Sequence, residues 1–73
     1  MRILLAEDDG ETAAQVVRGM SAAGYAVEVY RRGDEALRAG REDQFDLAIV
    51  DRMLPEMDGL DIVRRWRAVG GKF

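Results

Sequence analysis

The 73 residues carry 14 Asp and Glu against 11 Lys and Arg, for a formal net charge of −3, and include no Cys and no His. Those counts exclude a disulfide framework, a thiolate metal site and a histidine general base, and they leave no basic stripe for nucleic acid. The length permits one small domain near the lower limit for a self-sufficient core, and no apolar run approaches the roughly 20 residues that span a bilayer, so a cytoplasmic chain without membrane or direct nucleic-acid contact is expected.

Residues 2–6, RILLA, form a nearly continuous apolar run of the kind that a strand buried on both faces requires. Three consecutive acids follow, Glu7, Asp8 and Asp9. Residues 11–23 place Ala13, Val16, Val17 and Met20 at helical spacing, and Gly24 stands where a C′ glycine belongs. Residues 26–30 alternate like a strand nearer a sheet edge. Gly33-Asp34 opens a short helix through Ala36, Leu37 and Ala39, with Gly40 expected to stop it. Residues 45–50, FDLAIV, read as a second buried strand ending in Asp51. Asp58-Gly59 begins a last helix with Leu60, Ile62, Val63 and Trp66 on its apolar side, running out into Gly70-Gly71-Lys72-Phe73. Trp66 is expected as a core or interface anchor.

Strand and helix thus alternate three times with short connections, which predicts a parallel sheet with right-handed crossovers. Sites in such sheets form at the carboxyl ends of the strands. The acid triplet and Asp51 both fall at such ends. Two carboxylates about 4 Å apart repel by roughly 4 kcal/mol at an effective dielectric of 20, so a cation, a proton or open water must relieve them. Simple solvation is one answer. The other needs the first and third strands to be neighbours, so that Asp8 and Asp51 share a rim. Mg²⁺ would then be held by two or three protein oxygens, and Asp51 would act as the nucleophile toward a phosphoryl group whose charge the metal offsets. The loop DRMLPEMDGL fits both views. It serves as a strand-to-helix turn capped by Asp58, and it can aim a backbone carbonyl at a metal. Met53 and Met57 are expected to pack, since thioethers are poor partners for hard cations.

"RILLAEDD" and "FDLAIVDRMLPEMDGLDIVRR", at this spacing, resemble the receiver domain of bacterial two-component response regulators, with the Arg-Met-Leu-Pro variant similar to that of the winged-helix transcriptional subfamily. The resemblance implies a flavodoxin-like (CheY-like) α/β fold of strand order 2-1-3-4-5, here truncated to βαβαβα of order 2-1-3, so that residues 1–73 form a partial receiver domain. It implies Mg²⁺-dependent phosphorylation of Asp51 by a histidine kinase, with Asp8 as direct metal ligand, Glu7 acting through water and the backbone carbonyl of Met53 completing the site. Asp9 matches no essential position. Such a domain is a phosphoacceptor rather than an enzyme, with at most weak self-phosphorylation from small phosphodonors.

The family's fourth and fifth strands carry a Ser/Thr and a Lys that meet the phosphoryl group, and Lys72, the only lysine, sits in the wrong place for that role. Truncation is therefore expected to impair the response and to expose the third strand as an apolar edge. The consequence is a homo-oligomer or domain-swapped dimer through that strand and the helices, Trp66 included. A non-catalytic, self-associating half-receiver is the alternative function. A haloacid-dehalogenase-like phosphatase fits poorly, because Asp51-Arg52-Met53 lacks the second Asp of that motif.

Overall fold

The structure is a computed structural model that describes residues 1–68. The expectations placed on Gly70, Gly71 and Lys72 lie outside the described residues. The elements alternate as β1 (Arg2–Ala6), α1 (Gly10–Ala22), β2 (Ala26–Tyr30), α2 (Gly33–Glu42), β3 (Leu47–Val50) and α3 (Gly59–Ala68). The three strands are parallel in the order β2-β1-β3, the order that the flavodoxin-like reading requires. The apolar run of β1 is central, with Leu4 opposite Glu28 on one side and Ala48 on the other.

Alternation along β1 divides the core between the two faces. Leu4 and Ala6 join Ala36, Leu37 and Ala39 of α2, Phe45, Leu54, and Ile62 and Trp66 of α3 in one buried cluster. Ile3 and Leu5 are equally buried and turn to the opposite face, where α1 lies against β2. Full burial of a large apolar side chain contributes roughly 1.5–3 kcal/mol, so β1 and α3 carry much of the stability. Only Ala13 of α1 is buried, and Val16, Val17 and Met20 are half-covered. The helix forms at the expected spacing, and the described residues cover its apolar side only in part.

Local chemistry fixes the helix ends. Asp9 caps α1, its carboxylate accepting from the Thr12 amide at 3.1 Å. At the other end the Tyr25 amide donates to the Met20 carbonyl and the Gly24 amide to that of Ser21, both at 3.0 Å. This is a Schellman closure, and Gly24 supplies its left-handed residue at φ 92°.

Three expectations need correction. Gly40 does not stop α2, which runs on to Glu42; its missing side chain makes room for the Trp66 ring. The third strand begins at Leu47 rather than at 45. Phe45 is buried beneath the Arg2 guanidinium, 4.7 Å from its ring centre, and the Asp46 carboxylate accepts from the Arg2 amide at 2.8 Å. Leu60 is exposed rather than on the buried side of α3. Trp66 takes the core place expected of it: it is 1% exposed and its Nε1 donates to the Leu37 carbonyl at 2.9 Å.

Candidate functional site

The first and third strands are neighbours, and their carboxyl ends bring the acids together. The Glu7 amide donates to the Tyr30 carbonyl at 3.0 Å, and the Asp51 amide donates to the Ala6 carbonyl at 2.8 Å. Both ladders therefore continue one residue past the strands, which fixes the backbone from which each acid projects. One carboxylate oxygen from each of Glu7, Asp8 and Asp51 lies within 4.8 Å of the other two, and all three residues are half-buried.

The loop after β3 is held at both ends. The Met53 amide donates to Asp51 Oδ1 at 3.1 Å, the Gly59 amide to the Arg52 carbonyl at 2.9 Å, and the Gly33 amide to the Pro55 carbonyl at 3.1 Å. Gly59 is required because a Cβ there would collide with the Asp51 carbonyl oxygen. Asp58 accepts from the Leu60 amide at 2.8 Å and caps α3, as expected. Leu54 turns into the core, whereas the Met53 side chain is 81% exposed, so of the two methionines only Met57 packs. Asp8, Arg52, Met53, Leu54, Pro55 and Asp58 line an open cleft of about 430 Å³ beside the acids.

The electrostatics match the crowding. The Asp9 amide donates to the Glu7 carboxylate and pulls its pKa down, but desolvation, repulsion from Asp51 and Asp8 and a shared hydrogen bond with Asp51 together hold it above the usual Glu value. Asp9 goes the other way: Thr12 donates to it from both hydroxyl and amide, and the Arg31 charge lowers it further. The two acids thus have different duties, Asp9 capping the start of a helix and Glu7 sharing a negative cluster. Asp9 as cap was legible in its spacing to Thr12. Arg31 was not legible: its guanidinium donates to the Asp8 carbonyl at 2.7 Å across 23 residues of sequence.

Converging carboxylates in a half-buried cleft attract a hard cation, and oxygens within 4.8 Å of one another suit a small ion that keeps some of its waters. The donor set is all oxygen, as Mg²⁺ prefers, and the residues fit that metal.

Comparison with known proteins agrees with this arrangement. The response regulator receiver domain family matches residues 3–72. Response regulator receiver protein CpdR of Brucella abortus is 41% identical over 64 residues, covering 88% of this chain and 53% of that protein. Transcriptional regulatory protein QseB of Escherichia coli O157:H7 is 40% identical over 70 residues, covering 96% of this chain and 32% of that one. The chain therefore spans from about a third to about half the length of these curated relatives. Response regulator TrrA of Thermotoga maritima, solved in complex with Mg(2+)-BeF, superposes with a TM-score of 0.89 at 26% identity over 94% of this chain and 60% of that one. The same protein solved with histidine kinase ThkA gives 0.85 at 27% identity over 92% of this chain and 58% of that one. On fold, motif and sequence together, the chain belongs to the response regulator receiver domain family.

Proposed function

We propose that Asp51 is a phosphoacceptor, that a histidine kinase is its donor, and that the carboxylates of Glu7, Asp8 and Asp51 with the Met53 backbone carbonyl hold the Mg²⁺ the transfer needs. The observation that carries this reading is the convergence of Glu7, Asp8 and Asp51 from the ends of two neighbouring strands. When bound, the ion offsets the repulsion between the carboxylate and the incoming phosphoryl oxygens. An Asp51 carboxylate oxygen forms the bond to phosphorus as the phosphorus–nitrogen bond of the phosphohistidine breaks, and the departing imidazole keeps the electron pair. The Met53 amide, donating to Oδ1, orients the carboxylate and leaves Oδ2 as the attacking atom. Asp8 and Glu7 would hold the cation beside the acceptor. The kinase partner is supported by the solved complex of TrrA with ThkA, and the cation by the Mg(2+)-BeF complex of TrrA.

The reading extends to the protein's setting. Residues 1–73 act as a partial receiver domain, a cytoplasmic signalling acceptor rather than an enzyme. They supply the acid cluster, the acceptor and the DRMLPEMDG loop. A second reading is favoured by β3, an edge of the described sheet on which Leu47 is 42% exposed. It is a self-associating module in which two copies pair along that edge.

Incubation with Mg²⁺ and a small-molecule phosphodonor, followed by intact mass, tests the first reading. One phosphoryl adduct that disappears in Asp51→Asn is expected, and the absence of any adduct at every concentration overturns it in favour of the module.

A further inference from the structure

Three consecutive acids need relief, and one cation among the described residues reaches their backbone. Arg31 follows the last residue of β2, and its side chain crosses the top of the sheet to the turn between β1 and α1. There its Nη2 donates to the Asp8 carbonyl at 2.7 Å and lies 3.7 Å from where a Cβ on Gly10 would stand. The partner is the main chain of the residue whose carboxylate joins Glu7 and Asp51. A guanidinium donating to a carbonyl makes a charge-assisted bond, shorter and stronger than a neutral one.

We infer that Arg31 is a positioning residue for the acidic site: by gripping the Asp8 carbonyl it fixes the peptide from which the Asp8 carboxylate projects, and so sets the cation affinity of the cluster. The inference rests on the proposed Mg²⁺ site. It is not obvious from charge alone, because a positive group beside three acids repels a metal ion. Two effects of opposite sign therefore meet in one side chain, and the geometry decides between them. The Coulomb term at an exposed guanidinium is screened by water and salt, whereas the hydrogen bond acts on the ligand's own backbone. The other bond on that peptide runs from the Asp9 amide to the Glu7 carboxylate at 3.1 Å, a partner inside the acid cluster itself, so Arg31 is the brace that comes from outside the turn. The Asp9 side chain is occupied at the helix cap, and Gly10 contributes no side chain.

Calorimetric titration of the full chain with MgCl₂ tests the inference, using the wild type, Arg31→Lys and Arg31→Met, with circular dichroism and melting curves as the check on folding. Positioning predicts that Arg31→Met binds Mg²⁺ about tenfold more weakly, the lower end of what loss of a ligand's supporting partner costs, with Arg31→Lys between it and the wild type. A purely electrostatic role predicts the reverse order, with Arg31→Met binding more tightly, and a purely structural one lowers the melting temperature at unchanged affinity. Either result overturns the inference while leaving the site reading intact. A wild type that takes no Mg²⁺, or takes it equally well as Asp51→Asn and Asp8→Ala, overturns the site reading and Arg31's role with it.

Discussion

A Cβ placed on Gly40 would stand 2.5 Å from Nε1 of Trp66 and closer still to two carbons of its ring. The indole packs against α2 at Gly40, with its N–H donating to the Leu37 carbonyl. Ala is the better helix former by about 1 kcal/mol, yet overpacking costs about 1–3 kcal/mol. Gly40→Ala is expected to lower stability by up to about 2 kcal/mol in urea unfolding. A stabilised variant would show that α2 and α3 do not meet as described.

Glu56 adopts φ 74°, the only positive φ outside glycine among the described residues. Left-handed backbone costs a side-chain-bearing residue about 1–2 kcal/mol, while glycine loses about 0.5–1 kcal/mol through its freer unfolded chain. The Arg32 contact that Glu56 makes at 3.7 Å is solvent-exposed and contributes little. Glu56→Gly is therefore expected to raise stability by up to about 1 kcal/mol, and Glu56→Val to lower it, read as paired denaturation midpoints.

Cation binding to the folded chain alone must stabilise it. At a Mg²⁺ concentration about 100 times the dissociation constant, the gain is about 2.7 kcal/mol. Melting curves with MgCl₂ and then with excess chelator measure it, and Asp51→Asn is expected to lose most of the gain.

Glu7 titrates above the ordinary Glu value of 4.5. A carboxyl of this kind keeps its proton in the fold at pH values where the unfolded chain has released it. Its contribution to stability is greatest below the ordinary value and is lost as pH rises through the raised one. In Mg²⁺-free buffer Glu7→Gln should match the wild type in acid and gain on it as pH rises through that window. Mg²⁺ affinity of the wild type should fall as pH drops through the same window. Denaturant midpoints measured against pH would reject the crowding argument if the two proteins ran parallel.

If β3 pairs between copies, a charge on its exposed side must disfavour the pairing. Leu47→Lys is expected to lower the mass measured by light scattering at high protein concentration toward that of one chain. A wild type whose mass stays that of one chain at every concentration removes the self-association reading.

The alternation of strand and helix, the strand order and the meeting of Glu7, Asp8 and Asp51 were all legible in the sequence. Periodicity marks the elements, and the resemblance supplies the order. What could not be read are contacts across distant segments. Gly40 looks like a helix stop because glycine ends helices more often than it seats a tryptophan, and nothing near it in the chain names Trp66. Phe45 has the right residue type for a strand, but Arg2 stacks on its ring and the backbone pairs with β1 only beyond it. Leu60 and Met53 are apolar residues at a helix start and a loop tip, where position along the chain decides burial more than hydrophobicity does. Arg31 carries no local signal, since its partner is a carbonyl and every residue has one.

The Gly33 amide holds the Pro55 carbonyl, and a Cβ on Gly33 would stand only 2.7 Å from that of Met57. The segment that follows Asp51 is thus latched to the first turn of α2, on a different crossover of the sheet. A displacement that reaches Pro55 would break that latch or carry the start of α2 with it, which ties the second helix to the far end of the loop.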